Sequence, residues 1–302
     1  MVLHEFPDLH WLKKNIENDF EAVPLPVKNT NKKGWPSVVL NVENRAAVRD
    51  NIKGPISIFC NLKGQSRVVL ENKAVLIPEG TFLISNQDQL YNLETFKNTE
   101  TFNIHFGADI STQALGAMDL SMQQILDGRF SKTPLFHNHL IQQDGQFQAL
   151  CKQLLHVAKN TLQKEEILFA LALYMAQQYR KQTNTIHNLS PTKKSTKEEV
   201  YKRLSFATDF IYSNFHLDIN LATLAQQSAM SKFHFLRLFK AVHHYSPHQF
   251  ITSLRIKKAE NLLKTSNKSI DHIAQEVGLN NGSSLSRLFY QKTGAYPSTL
   301  RK

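Results

Sequence analysis

The stretch Leu224–Ser231 (LAQQSAMS), followed by Lys232–Lys240 (KFHFLRLFK), decides the fold of the C-terminal part of this chain, because it occurs twice. The second copy is Ile273–Leu279 (IAQEVGL), followed by Asn280–Tyr290 (NNGSSLSRLFY). Each copy reads as a short amphipathic helix, a tight turn, and a second helix with an Arg-Leu-Phe core. A proline follows each, Pro247 and Pro297. Two helices joined by a tight turn form a helix-turn-helix unit, whose second helix can enter a DNA major groove. Two copies in one chain can read two groove segments without a dimer.

Charge points the same way. From Lys193 to Lys302 there are 17 Lys/Arg against 7 Asp/Glu, whereas the first 192 residues hold 19 against 18. Almost all of the net charge of +11 therefore lies in the segment that carries the repeat. A basic excess confined to one domain is the electrostatic footprint of a nucleic-acid binder.

A length of 302 residues suggests two domains. There is no apolar run of about eighteen residues, so no membrane partner is expected. The N-terminus (MVLHEFPDLHWLKK) lacks the basic-then-apolar order of a signal peptide, which predicts a cytoplasmic protein. Cys60 and Cys151 are far apart in sequence and sit in apolar contexts, and they read as reduced core thiols.

Residues 36–106 look like β structure. Short apolar or alternating runs (38–40, 56–60, 67–70, 74–77, 81–84 and 101–106) are separated by Gly, Pro, Asn and Asp, as in an antiparallel sandwich or barrel. Lys63-Gly64, Glu71-Asn72 and Glu79-Gly80 are plausible turn pairs. From about residue 112 the period becomes helical, with apolar stripes over about 146–159 and 164–181. The stripe Leu168, Leu171 and Met175 predicts a surface for a second subunit, and so a homodimer. Residues 182–197 are polar, contain Pro191 and lack periodicity, and read as a linker. The expected domains are 1–182, a linker over 183–196, and 197–302. Ser246 and Pro247 start one long helix to Thr265, at about 28 Å for its length. That is somewhat short of the roughly 34 Å of one B-DNA turn, which favours bent DNA.

From Val200 to Lys302 the chain resembles the AraC/XylS family of bacterial transcription regulators. The landmarks are Leu224-Ala225, Ser231, Leu238-Phe239-Lys240, Arg255, Ala259, Leu262-Leu263, Ile270, Ile273-Ala274, Val277-Gly278-Leu279, Ser286-Arg287, Phe289, Gly294, Pro297 and Arg301. The resemblance implies a seven-helix domain, with two helix-turn-helix subdomains bridged by a linker helix. An extra residue before the second recognition helix also fits the family pattern. The N-terminal segment resembles the family's cupin-like sensor domain more weakly. The implied fold is α+β, with an N-terminal cupin-like β-barrel carrying a helical appendage and a C-terminal all-α domain.

Spacing assigns the faces of the recognition helices. Phe235, Leu238, Phe239 and Val242 form one apolar stripe, while Lys232, Phe233, Leu236 and Arg237 fall on another face. In the second copy Leu285, Leu288 and Phe289 are core, while Gly282, Ser283, Ser284 and Arg287 are expected to be exposed. The resemblance places these outward sets against bases or phosphates. Arginine's planar fork suits guanine or phosphate, which singles out Arg237 and Arg287, and Phe233 can pack on a thymine methyl. Three positions depart from the family pattern. Leu236 stands where a hydrogen-bonding residue is common. His244 replaces a glycine at a site that needs positive φ, and Leu300 replaces a tyrosine.

His137-Asn138-His139 looks like a metal pair, but Asp144, Glu165 and Glu166 lie in or near helices and His105 stands alone, so no metal site is expected. There is no phosphate loop, nucleophile elbow or Cys-x-x-Cys, so no catalysis and no cofactor are expected. Strand 101–106 alternates, putting Thr101, Asn103 and His105 on one face. With Tyr91 they could line a pocket for a small-molecule effector, or the face could be solvated. The leading expectation is an effector-responsive activator that binds double-stranded DNA and contacts RNA polymerase. Two competitors stay open: a regulator whose N-terminal domain only dimerises, and a cupin enzyme fused to a DNA-binding domain.

Overall fold

The computed structural model describes residues 2–5, 37–43, 45–71, 73–107, 110, 114, 135–157, 161–189 and 194–300. The chain divides into two compact units, residues 1–184 and 185–302.

Among the described residues, the first unit holds ten strands: β1 (Val2–Leu3), β2 (Val38–Glu43), β3 (Ala47–Lys53), β4 (Ser57–Lys63), β5 (Gln65–Leu70), β6 (Lys73–Pro78), β7 (Thr81–Ser85), β8 (Leu90–Thr95), β9 (Glu100–His105) and β10 (Ile141–Gln142). They form two sheets, ordered β1-β2-β9-β4-β7-β10 and β3-β8-β5-β6. All pairings are antiparallel except β1 with β2. Among the described residues, the cupin-like barrel takes the form of two stacked sheets that hydrogen bonds do not close into a ring. The turns need left-handed residues, and Gly64, Glu71 and Gly80 supply them with φ of 74°, 48° and 82°. Strands β3 and β8 escape the sequence reading because they mix polar and apolar residues without a clean period, as AVRDNIK and LYNLET show.

Two helices, α1 (Gly145–His156) and α2 (Thr161–His187), cover the outer face of the larger sheet. Phe102, Ile104, Ile58, Cys60, Phe82 and Ile84 meet Phe147, Leu154, Leu168, Leu171, Tyr174 and Met175 in one core. Phe82 stacks on Phe147 with ring centres 4.4 Å apart. Each such buried side chain contributes about 1.5–3 kcal/mol. Leu168, Leu171 and Met175 are almost fully buried here, which corrects the expectation that they face a second subunit. A helical stripe shows which residues lie together, and the sheet is the partner that claims these three. The large apolar residues that α2 leaves exposed are Leu162, Phe169 and Leu173. Cys60 and Cys151 are free and buried, and their thiols meet in this core. Hydrogen bonding to Cys151, together with burial, pushes the Cys60 thiol well up from its usual range.

The second unit holds α3 (Lys194–Asn214), α4 (Leu221–Gln227), α5 (Lys232–His243), α6 (Pro247–Thr265), α7 (Ile270–Glu276), α8 (Gly282–Thr293) and a 3-10 turn (Pro297–Leu300). The polar stretch read as a linker is partly helical, since α2 runs to His187 and α3 begins at Lys194. Polar composition does not by itself stop a helix. Pro191 and Arg301 lie outside the described residues. Helix α6 buries one face from end to end, because its first half (Phe250, Ile251, Leu254) belongs to one module and its second half (Ile256, Ala259, Leu262, Leu263) to the other.

Candidate nucleic-acid interface

Short polar caps set where each helix of the repeat begins. The side chains of Asn220, Ser231, Ser269 and Asn281 accept hydrogen bonds from the backbone N–H groups of Thr223, His234, His272 and Ser284. Ser246 and Gln249 form a reciprocal capping box at the start of α6, with Pro247 in the first turn. The recognition helices end in left-handed residues, His244 at φ 62° and Gly294 at φ 74°. The departure at His244 therefore leaves the backbone path unchanged, with histidine held in the conformation glycine favours.

The first recognition helix, α5, buries Phe235, Leu238 and Phe239. Phe239 touches Phe235, His243 and Phe250 at ring distances of 5.4, 4.3 and 5.5 Å. The opposite side carries Lys232, Phe233 and Arg237, all exposed, with Phe233 at 78%. Leu236 is half-buried at the edge of this face. An exposed phenylalanine on the first turn of a helix is unusual, since burial would stabilise it by a kcal/mol or more, at about 25 cal/mol per Å².

The second recognition helix, α8, buries Leu285 and Phe289 and leaves Ser283 and Arg287 exposed, with Ser284 half-buried. Gly282 is buried, not exposed as its position in the pattern suggests. Its N–H donates to Asp271 Oδ1 at 2.8 Å, and an added Cβ would meet that oxygen at 2.9 Å. Asp271 sits in the first turn of α7, so this glycine lets the two helices of the module approach. Leu300 packs at the edge of the second core.

The structure adds two exposed residues to the sequence-derived set. Lys240 continues the line Phe233–Arg237, and Tyr290 continues the line Ser283–Arg287, at i, i+4, i+7 spacing. Both lie in the quoted repeat, and extending the helical period by one turn finds them. Among the described residues, neither Arg237 nor Arg287 makes an ion pair, so both forks are free to meet a partner.

In the first unit, Thr101, Asn103 and His105 share one face of β9, as the alternation predicts. That face is not solvated. Asn103 pairs with Phe59 of β4, and Phe59 packs edge-on against Tyr91 of the opposite sheet at 4.9 Å. The polar face therefore lies between the sheets, with Thr101, Asn103 and Tyr91 buried. His105 accepts or donates a bond to Ser57 Oγ at 2.8 Å, and burial pushes its pKa down to about 4. The imidazole is thus neutral at physiological pH. Both amide atoms of Asn103 are buried without a hydrogen-bond partner, as are Asn61 Oδ1 and Ser85 Oγ. An unsatisfied buried polar group costs about 1–3 kcal/mol, so this concentration in one interior calls for a reason.

The His137-Asn138-His139 run is structural. Asn138 donates to Ile84 O, accepts from Gln89 and so fastens this segment to β7, while Asp144 caps α1. Among the described residues, no group of three or more His, Cys, Asp or Glu side chains is placed to hold a metal ion. None of the described helices is long and apolar enough to cross a membrane.

Comparison with known proteins follows this geometry. A family model described as a helix-turn-helix domain matches residues 224–302. The raffinose operon transcriptional regulatory protein RafR of Pediococcus pentosaceus is 30% identical over 101 residues, 33% of this chain and 36% of its own length. The transcriptional activator RhaS of Shigella dysenteriae is 23% identical over 237 residues, 78% of this chain and 80% of its own. Among solved structures, the DNA-binding domain of AdpA in complex with a target DNA is 27% identical, covering 32% of this chain and 87% of that one, with a TM-score of 0.31. The matches to the first three curated relatives span about a third of those proteins. The chain carries a helix-turn-helix domain and is similar to these transcription regulators. RafR is designated a transcriptional regulatory protein and RhaS a transcriptional activator.

Proposed function

We propose that this protein is a sequence-specific DNA-binding transcription regulator that seats α5 and α8 in successive major-groove segments. The observation that carries this is the repeated module, with an uncommitted arginine on the outward face of each second helix. Lys232, Phe233, Leu236 and Arg237 from α5, and Ser283, Ser284 and Arg287 from α8, supply the DNA contacts. Gly282, buried with its N–H bound to Asp271, serves the interface by letting the two helices of its module approach. Residues 197–302 should fold alone and bind DNA, with affinity falling about 10³-fold or more between 50 and 200 mM salt as counterions are released. Gel-shift titrations of the folded fragment at several salt concentrations check this. A folded fragment with absent or salt-insensitive binding would remove the reading.

The first unit, about residues 1–182, serves as the sensor. Its interior supports an effector site formed by Tyr91, Thr101, Asn103 and His105, because the unpartnered Asn103 amide offers both a donor and an acceptor. All four groups are uncharged, so the site suits a neutral polar molecule. A thermal-shift screen of such compounds should yield one that raises the midpoint of wild-type protein and has no effect on Asn103→Leu. If no neutral polar compound shifts the wild type, the alternative of a unit that only dimerises gains ground.

A homodimer remains part of the reading, now through the exposed Leu162, Phe169 and Leu173 of α2. Phe169→Glu with Leu173→Glu should convert a dimer at micromolar concentration to a folded monomer in sedimentation. A wild-type protein that sediments as a monomer removes the dimer. DNA-bound, the regulator acts as an activator by contacting RNA polymerase, a role supported by the designation of RhaS as an activator.

A further inference from the structure

The repeat contains its own control experiment. The two turns follow one backbone path. Ala229 N–H donates to Gln226 O at 3.0 Å and Met230 N–H to Ala225 O at 2.9 Å. Gly278 N–H donates to Gln275 O at 3.0 Å and Leu279 N–H to Ala274 O at 2.8 Å. Both turn residues are left-handed, at φ 49° for Ala229 and 81° for Gly278. The first turn accommodates alanine, so the turn alone does not require glycine.

What differs is the surroundings. A Cβ on Gly278 would lie 2.2 Å from His216 O, 2.7 Å from its carbonyl carbon and 2.9 Å from its Cα. These are backbone atoms of the loop between α3 and α4, which belongs to the first module. No side-chain rotation can relieve such a clash. The second module's turn therefore sits directly on the first module's loop.

The same loop is gripped by the linker helix. Arg255 of α6 donates from Nε to Phe215 O at 2.7 Å and from Nη2 to Leu217 O at 2.8 Å. Leu217 N–H donates to Asn214 O at 2.8 Å and closes the loop. Three successive carbonyls thus point at two different elements. Those of Phe215 and Leu217 meet α6, and that of His216 meets the turn after α7.

We infer that residues 215–217, Arg255 and Gly278 form a lock that sets the separation and angle of α5 and α8. A single bridging helix joins the modules at one line, and the loop adds a second point of attachment off that line. Two attachments remove the rotation about the helix that one would leave. On DNA, one added base pair displaces a half-site by about 3.4 Å and turns it by roughly a tenth of a revolution, so a locked pair of readers rejects altered spacing. Arg255 and Gly278 act through the loop 215–217 and are positioning residues. This inference rests on the proposal that both helices enter DNA.

The test uses full-length protein and an operator mapped by footprinting, with one or two base pairs inserted or removed between its half-sites. Wild type should lose about tenfold or more in affinity on each altered operator, by analogy with the 1–3 kcal/mol cost of a mismatched contact. Arg255→Gln and Gly278→Ala should flatten that profile to within about threefold, with a loss on the native spacing, because flexible readers bind several spacings weakly. Ala229→Gly, at the equivalent turn where the residue is exposed, should keep the wild-type profile. Circular dichroism verifies folding. If Gly278→Ala does not fold, Arg255→Gln decides, since it removes only two side-chain hydrogen bonds; Arg255→Lys, which cannot span both carbonyls, should fall between it and wild type. A folded Arg255→Gln variant with the wild-type spacing profile overturns the lock and leaves DNA binding intact. Absence of DNA binding by wild type overturns the functional reading itself.

Discussion

Replacing Arg237 and Arg287 together by alanine is expected to lower operator affinity by about 2–6 kcal/mol while the protein stays folded. Each arginine projects from the outward face of its recognition helix, and neither is spent on an internal ion pair among the described residues. A bidentate contact to guanine is worth about 1–3 kcal/mol against the wrong base, and contacts in separate modules add to a good approximation. Exposed substitutions of this kind change stability by only about 0.5 kcal/mol. Gel-shift titrations on operator and on random DNA separate two mechanisms. If the arginines read bases, the loss is confined to the operator. If they contact phosphates, both DNAs lose affinity alike and the salt slope falls by about one for each arginine. Wild-type affinity in the double variant would show that another face of these helices meets the DNA.

Phe239→Ala is expected to cost about 3–5 kcal/mol of stability, a large share of the 5–15 kcal/mol that holds a domain together. Phe239 is fully buried and forms aromatic contacts on three sides, and the cavity it leaves cannot be filled by its stiff neighbours. Phe289→Ala should act similarly in the second core, against Ile273, Val277 and Leu285. Phe233→Ala is the contrasting variant. Its ring lies six residues earlier on the same helix, is mostly exposed, and should leave the thermal midpoint almost unmoved while weakening DNA binding. Thermal denaturation of fragment 197–302 compares the three. Equal destabilisation by Phe233→Ala and Phe239→Ala would mean that the inside and outside of α5 have been misassigned.

The sequence by itself determined the DNA-binding half. Its repeat exposes two copies of one pattern, and a helix leaves several independent local marks: the start signal at Ser246, the proline that opens α6, and the 3.6-residue spacing of Phe235, Leu238 and Phe239. These signals are local, because each depends on residues within a turn or two of chain. The positive φ at His244 could be anticipated for the same reason. Tertiary structure alone decided which surfaces are covered. Alternation placed Thr101, Asn103 and His105 on one face of β9, yet period two cannot say whether that face meets water or a second sheet. The spacing of Leu168, Leu171 and Met175 showed a stripe without saying that the large sheet, and not another subunit, lies over it. The helical period puts Gly282 on the outward face of the second recognition helix, and Gly278 stands only as a landmark of the resemblance. Each is required by a carboxylate or backbone of a neighbouring element, Asp271 of α7 for one and His216 of the first module's loop for the other, and such approaches exist only once the helices have packed.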